Sequence, residues 1–130
     1  MASIFTKIIE GEIPCYKVAE NEHCIAFLDV SPLTTGHVLV VPKKEVDLLF
    51  DLDDDTYAQV NSMVKRVAKA IEKSIKCTRV GLAVIGLEVP HAHVHLVPIN
   101  EISDLNFKKE RVQLTALEFQ KTADLIKKAL

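Results

Sequence analysis

The stretch His91-Ala92-His93-Val94-His95-Leu96-Val97-Pro98 constrains this chain more than any other. It carries three of the chain's five histidines, at alternate positions. In an extended segment successive side chains point to opposite faces, so the three imidazoles share one face at steps of roughly 7 Å. Ala92, Val94 and Leu96 then face the other way, toward a core. A helix would keep His91 and His95 together and turn His93 away. The pattern predicts a strand with one apolar side and one titratable side, and the titratable side is a candidate site.

The rest of the chain supplies a frame for such a strand. Its 130 residues predict a single domain, 1–130, long enough for a real core. Hydrophobic residues make up 48% and charged residues 26%, the balance of an ordinary globular chain. A net charge of −2 gives no polyanion-binding face, which excludes nucleic acid as the expected partner. No apolar run is long enough to span a membrane. Met1-Ala2-Ser3-Ile4-Phe5 lacks the features of a signal peptide, so a cytoplasmic protein is expected. Cys15, Cys24 and Cys77 are odd in number, form no Cys-x-x-Cys pair and read as reduced thiols.

Periodicity places the elements. Ile4 to Glu10 is a short helix, with Ser3 as N-cap and Gly11 as stop. Tyr16–Glu20 and Cys24–Asp29 form a hairpin, and His37–Val41 is a strongly apolar strand. Val60, Met63, Val64, Val67, Ala68, Ile71 and Ile75 recur at helical steps, so a long helix runs from about Asp53 to Lys76. Asp53-Asp54-Asp55 reads as the capping acids of that helix rather than a metal cluster. Arg79–Ile85 is a further strand, and Ile99–Lys109 has no period and reads as loop. Thr115-Ala116-Leu117-Glu118 matches a capping box for a final helix from Ala116 to about Lys128. Strands that do not alternate with several helices predict an α+β domain with an antiparallel sheet.

Histidine titrates near neutral pH, with an ordinary pKa of roughly 6.5. A neutral ring is a nucleophile, and a charged ring donates hydrogen bonds to phosphate oxygens. Neutral imidazoles at alternate strand positions also ligate zinc. Spacing alone leaves a metal site and a phosphate site on a par. Any one of these rings taken singly is as well explained as a hydrogen-bonded core histidine.

Counting the triad stretch, four blocks in order resemble the histidine triad (HIT) family of nucleotide hydrolases and transferases. They are Ile4–Pro14, Ala26–Pro32, Gly36–Lys43 and the His91–Pro98 stretch itself. With the long helix they cover most of residues 3 to 98, and nothing carries over to 99–130. The resemblance implies a five-stranded antiparallel sheet with one long and one or two shorter helices. It implies a homodimer with sheets joined edge to edge, as in the branch of small nucleoside phosphoramidases. It implies a small-molecule nucleotide as the partner and no cofactor. It assigns His93 as the nucleophile that attacks the α-phosphorus to form a nucleotidyl-histidine, and His95 as the group that binds the phosphate and assists the leaving group. His37 and His91 hold rings and backbone in register. Phe5, Ile8, Phe27 and Val30, with Ile4 at the margin, match the apolar residues around a purine. Asp29 matches the acid that binds ribose hydroxyls. Ile8 and Phe27 are equally good core residues, and Asp29 is also a turn-former before Ser31-Pro32.

The chain departs from the family in two places. Ser3 and Thr6 stand where many members have two zinc-binding cysteines, so no such zinc is expected. The turn before the histidines is shortened to Gly86-Leu87-Glu88, with Leu87 where a glutamine is usual and no asparagine nearby. Leucine cannot donate to a phosphate oxygen, and losing one such donor costs on the order of a hundredfold in rate. Gly86 and Glu88 are kept as nucleotide-binding candidates through the turn's backbone. The expected function is hydrolysis or transfer at the α-phosphate of a purine nucleoside phosphoramidate or related conjugate. A nucleotide-binding module with little catalysis, and a metal protein using the histidines, are the alternatives.

Overall fold

A computed structural model describes residues 2–130. The chain runs α1 (Ile4–Ile9), β1 (Lys17–Glu20), β2 (Cys24–Leu28), β3 (Val38–Pro42), α2 (Asp54–Ser74), β4 (Arg79–Ala83), β5 (Val94–Ile99) and α3 (Ala116–Ala129). Two short 3-10 turns, Leu49–Asp51 and Ile102–Leu105, interrupt the connections. The second breaks the stretch that has no period in the sequence. The five strands form one antiparallel sheet in the order β1-β2-β3-β5-β4. The α+β class and the five-stranded sheet are as expected.

Capping chemistry sets the helix ends. Ser3 Oγ accepts the Thr6 N–H, and Gly11 closes α1 with a left-handed φ of 83°. Asp53 accepts the Thr56 N–H at the start of α2 and pairs with Lys44 at 2.9 Å. Thr115 and Glu118 complete a reciprocal capping box on α3.

Side-chain parity divides the sheet into two environments. Ala26, Leu28, Val38, Val40, Val94 and Leu96 point toward α2 and α3 and form the main core. Ile25, Phe27, Leu39 and Val41 point the other way and pack with Phe5 of α1. Residues 27, 29, 37 and 39 are odd, and Leu39 lies opposite His95 in the β3–β5 register. The period of two therefore delivers Asp29, His37 and His95 to the α1 side.

One boundary differs from the expectation. The ladder of β5 begins at Val94, so His91 and His93 lie in the segment leading into the strand. The alternation survives because that segment is held elsewhere: the Ala92 N–H donates to Val46 O at 2.7 Å. Ala92, Val94 and Leu96 all enter the main core as the pattern requires. Likewise β4 ends at Ala83, before Val84 and Ile85, because the chain leaves its pairing with β5 there.

Candidate active site

Four histidines converge on the α1 side of the sheet, and all four are buried. For three of them a backbone group fixes which nitrogen carries the proton. His37 Nδ1 accepts the Leu33 N–H at 3.0 Å, so the His37 proton sits on Nε2. His91 Nε2–H donates to Pro42 O at 2.8 Å, which leaves Nδ1 to accept from Ser3 Oγ at 2.7 Å. His93 Nδ1–H donates to His91 O at 2.7 Å, which leaves a lone pair on Nε2.

His95 has no backbone partner and takes its tautomer from His37. His37 Nε2–H donates to His95 Nδ1 at 2.9 Å, so His95 carries its proton on Nε2. Neighbouring rings His93 and His95, with centroids 5.0 Å apart, thus hold opposite tautomers. One has an Nε2 lone pair and the other an Nε2–H.

Burial keeps the relay neutral. It pushes His37 down to about 3, with His95 and the Arg111 guanidinium adding to the effect. It pushes His95 down to about 4, with His93 and Arg111 adding. His91 is also lowered by burial, opposed by the Pro42 carbonyl and by Glu45. Burial raises the Asp29 carboxyl, opposed by the Ser31 N–H and Arg111. Asp29 Oδ1 accepts that N–H at 2.8 Å, while Oδ2 stands 3.7 Å from His37 Nε2, beyond hydrogen-bond range. Oδ2 is thereby open to a hydroxyl donor.

Asp29, His37 and His95 offer donor atoms within 4.8 Å of one another, the spacing of a metal site. The atom His37 contributes is Nε2, and the Leu33 N–H forces the proton onto it. Flipping that tautomer would set Nδ1–H against the Leu33 N–H. The geometry fits a hydrogen-bond relay better than a metal cage.

The apolar candidates separate into two kinds. Phe5 and Phe27 are buried and meet edge to face at 5.8 Å, and Phe5 also packs on His93 at 4.9 Å. Both pack in the apolar cluster on the α1 side, next to the histidines. Ile4 and Val30 are exposed and Ile8 half-buried, so these three have surface to offer a base. In the shortened turn Gly86 has a φ of +71° with open space around it, Leu87 is 89% exposed, and Glu88 is exposed and acts on Asp29 as a second negative charge. No side-chain amide hydrogen-bonds to the four histidines among the described residues.

The chain and its fold have known counterparts. A HIT domain is recognised over residues 10–102. The chain belongs to the histidine triad family. This HIT protein is 37% identical over 99 residues to an adenosine 5'-monophosphoramidase of Schizosaccharomyces pombe, covering 75% of this chain and 74% of the relative. It is 32% identical over 125 residues to an adenylylsulfatase of Arabidopsis thaliana, covering 92% and 63%. Its fold superposes on a Hit-like protein of Bartonella henselae with a TM-score of 0.86 at 30% identity, over 98% of this chain and 96% of that one.

Four residues at the HIT site carry no signal in the sequence alone. Leu33 acts through its backbone N–H. Glu45 accepts the Ser3 N–H and the Thr6 hydroxyl, each at 2.6 Å. Phe107 and Arg111 arrive from beyond the recognised domain. Only the fold brings them near the histidines.

Proposed function

We propose that this HIT protein is a nucleotide hydrolase acting at the α-phosphate of a purine nucleoside phosphoramidate or a related conjugate. The observation that carries this reading is the pair of opposite tautomers at His93 and His95. The His93 Nε2 lone pair attacks phosphorus, the bond to the leaving group breaks, and a phosphorus–nitrogen bond forms to His93. His95 Nε2–H donates to the phosphate and to the departing group. Water then attacks phosphorus and releases the nucleoside monophosphate and a free His93. Asp29 Oδ2 accepts from ribose hydroxyls, and Ile4, Ile8 and Val30 line the base. The monophosphoramidase and adenylylsulfatase relatives support this substrate class.

Turnover of an adenosine phosphoramidate by the wild type and by His93→Ala tests the reading. Loss of turnover in the variant, with a nucleotidyl adduct trapped on wild-type His93, supports it; equal turnover by both proteins refutes it.

The turn favours a second reading, a nucleotide-binding module with weak catalysis. Leu87 is solvent-directed and no side-chain amide replaces the usual glutamine. Micromolar AMP binding with no measurable turnover would select it. The homodimer belongs to the same proposal. It is supported by the open edge of β4, with Leu82 exposed on the strand and Val84 and Ile85 exposed just past its end.

A further inference from the structure

The segment from Asn106 to Val112 follows the recognised HIT domain, which ends at residue 102. It nevertheless folds back over the histidine relay. The Phe107 ring meets His95 edge to face at a centroid distance of 4.7 Å and an angle of 70°. It also meets His37 at 6.3 Å. His95 is thus held between two rings, His93 at 5.0 Å and Phe107 at 4.7 Å.

Three hydrogen bonds latch the segment in place. Arg111 Nη1 donates to Ser31 O at 2.7 Å, and Nη2 donates to Phe107 O at 3.3 Å. The Val112 N–H donates to Pro32 O at 2.9 Å. The guanidinium also lies 5.7 Å from the Phe107 ring centre. A planar fork with two donors suits this bridging of two carbonyls, which an ammonium would do poorly.

We propose that Phe107, latched by Arg111, is a positioning residue for His95. It covers the His37–His95 hydrogen bond and keeps His95 in the tautomer that presents Nε2–H to the substrate. The physical reason is solvation. A hydrogen bond between two neutral imidazoles survives only where water cannot compete for the protons. Water beside His95 stabilises its charged form, and a protonated His95 would set Nδ1–H against His37 Nε2–H. The charged and titratable groups facing His95 are His93 beside it, His37 and Asp29 behind it, and Arg111 beyond Phe107. Glu88 acts on Asp29 from the turn. Burial is the largest cause of the lowered His95 pKa, ahead of His93 and Arg111.

The inference rests on the reading of His95 as the phosphate donor, but its test does not require substrate. NMR titration of the His95 ring is compared in wild type, Phe107→Ala, Phe107→Leu and Arg111→Lys. His95 is expected to titrate at least about one pH unit higher in F107A, a tenfold change in proton affinity. F107L keeps an apolar cover and is expected to stay near wild type. R111K keeps the charge but loses the two-armed latch, and an upward shift is expected there too. In F107A the acid limb of kcat/KM moves up with the ring, which a merely destabilised protein would not show. A folded F107A with His95 titrating as in wild type overturns the proposal. Where F107A does not fold, an unshifted His95 in R111K overturns it. A wild type inert toward phosphoramidates would instead overturn the proposed reaction, leaving the titration result standing.

Discussion

Ser3 Oγ lies 2.7 Å from His91 Nδ1, joining the start of α1 to the first histidine of the triad across 88 positions in the chain. The same hydroxyl accepts the Thr6 N–H, and Glu45 binds the Ser3 N–H and the Thr6 hydroxyl. His91 in turn offers its carbonyl to His93 Nδ1. Ser3 and Thr6 therefore belong to one hydrogen-bonded clasp with Glu45 and His91. That clasp ends on the carbonyl that sets the His93 tautomer.

Ser3→Ala removes a helix cap and leaves His91 Nδ1 a buried acceptor without its donor. Each loss costs about 1 kcal/mol or more. A total of about 2–3 kcal/mol is expected in urea denaturation at neutral pH. An unchanged midpoint would mean that the clasp carries no stability.

His37→Ala removes the donor to His95 Nδ1 and frees the His95 tautomer. A general acid or base contributes roughly 10²–10⁴ in rate, so kcat is expected to fall at least about a hundredfold. KM should move far less, because His37 is fully buried behind His95. Stability should also fall by about 2–4 kcal/mol, since a fully buried ring is lost. Single-turnover kinetics on the folded variant separate the two effects. A kcat within threefold of wild type would remove His37 from the relay.

What the sequence shows of this fold and site depends on the range of each signal. Alternation at His91–Leu96 and helical spacing at Val60–Ile71 are local, and they placed the strand, its faces and α2. Capping at Ser3, Asp53 and Thr115 is local too, and each cap is present. The start of β5 was not legible, because the Ala92–Val46 hydrogen bond that holds His93 extended is a tertiary contact. Phe5 and Phe27 illustrate another limit. Apolar residues near a site look alike in sequence whether they pack beneath it or face outward, and only the fold shows that these two are buried and meet edge to face. Glu45, Phe107 and Arg111 sit in stretches without periodicity, and their roles exist only once the chain has folded back.

Acid should destabilise the protein in a defined window. His37 and His95 have folded-state values of about 3 and about 4, below the unfolded value of roughly 6.5. The unfolded chain therefore binds more protons in between, and stability rises with pH there. The contribution is complete above about pH 6.5 and is lost as pH falls through about 4 and then about 3. Asp29 acts the other way, because its raised pKa makes the folded state the better proton acceptor around its titration. Denaturation series from pH 7 downward should show a steady loss, and His37→Phe should make that loss smaller by removing one of its sources. A flat profile in wild type would mean that the relay histidines are not buried neutral.

Two glycines make a matched test of backbone and space. Gly36, next to His37, has a φ of +98°, and a Cβ there would come within 3.1 Å of Pro98 Cγ and 3.2 Å of Ile75 Cγ1. Gly86, in the shortened turn, has a φ of +71° and nothing within 4 Å. Alanine at either position meets the left-handed penalty of roughly 1–2 kcal/mol. At Gly36 it also crowds a rigid proline ring and a buried side of the sheet, which adds about 1–3 kcal/mol. Gly36→Ala is therefore expected to be less stable than Gly86→Ala by at least about 1 kcal/mol in denaturant unfolding. It should lower kcat as well, because relief of the crowding moves His37 and with it the donor that fixes His95. Equal stability of the two variants would mean that the segment before β3 yields freely, and that the relay is not anchored through Gly36.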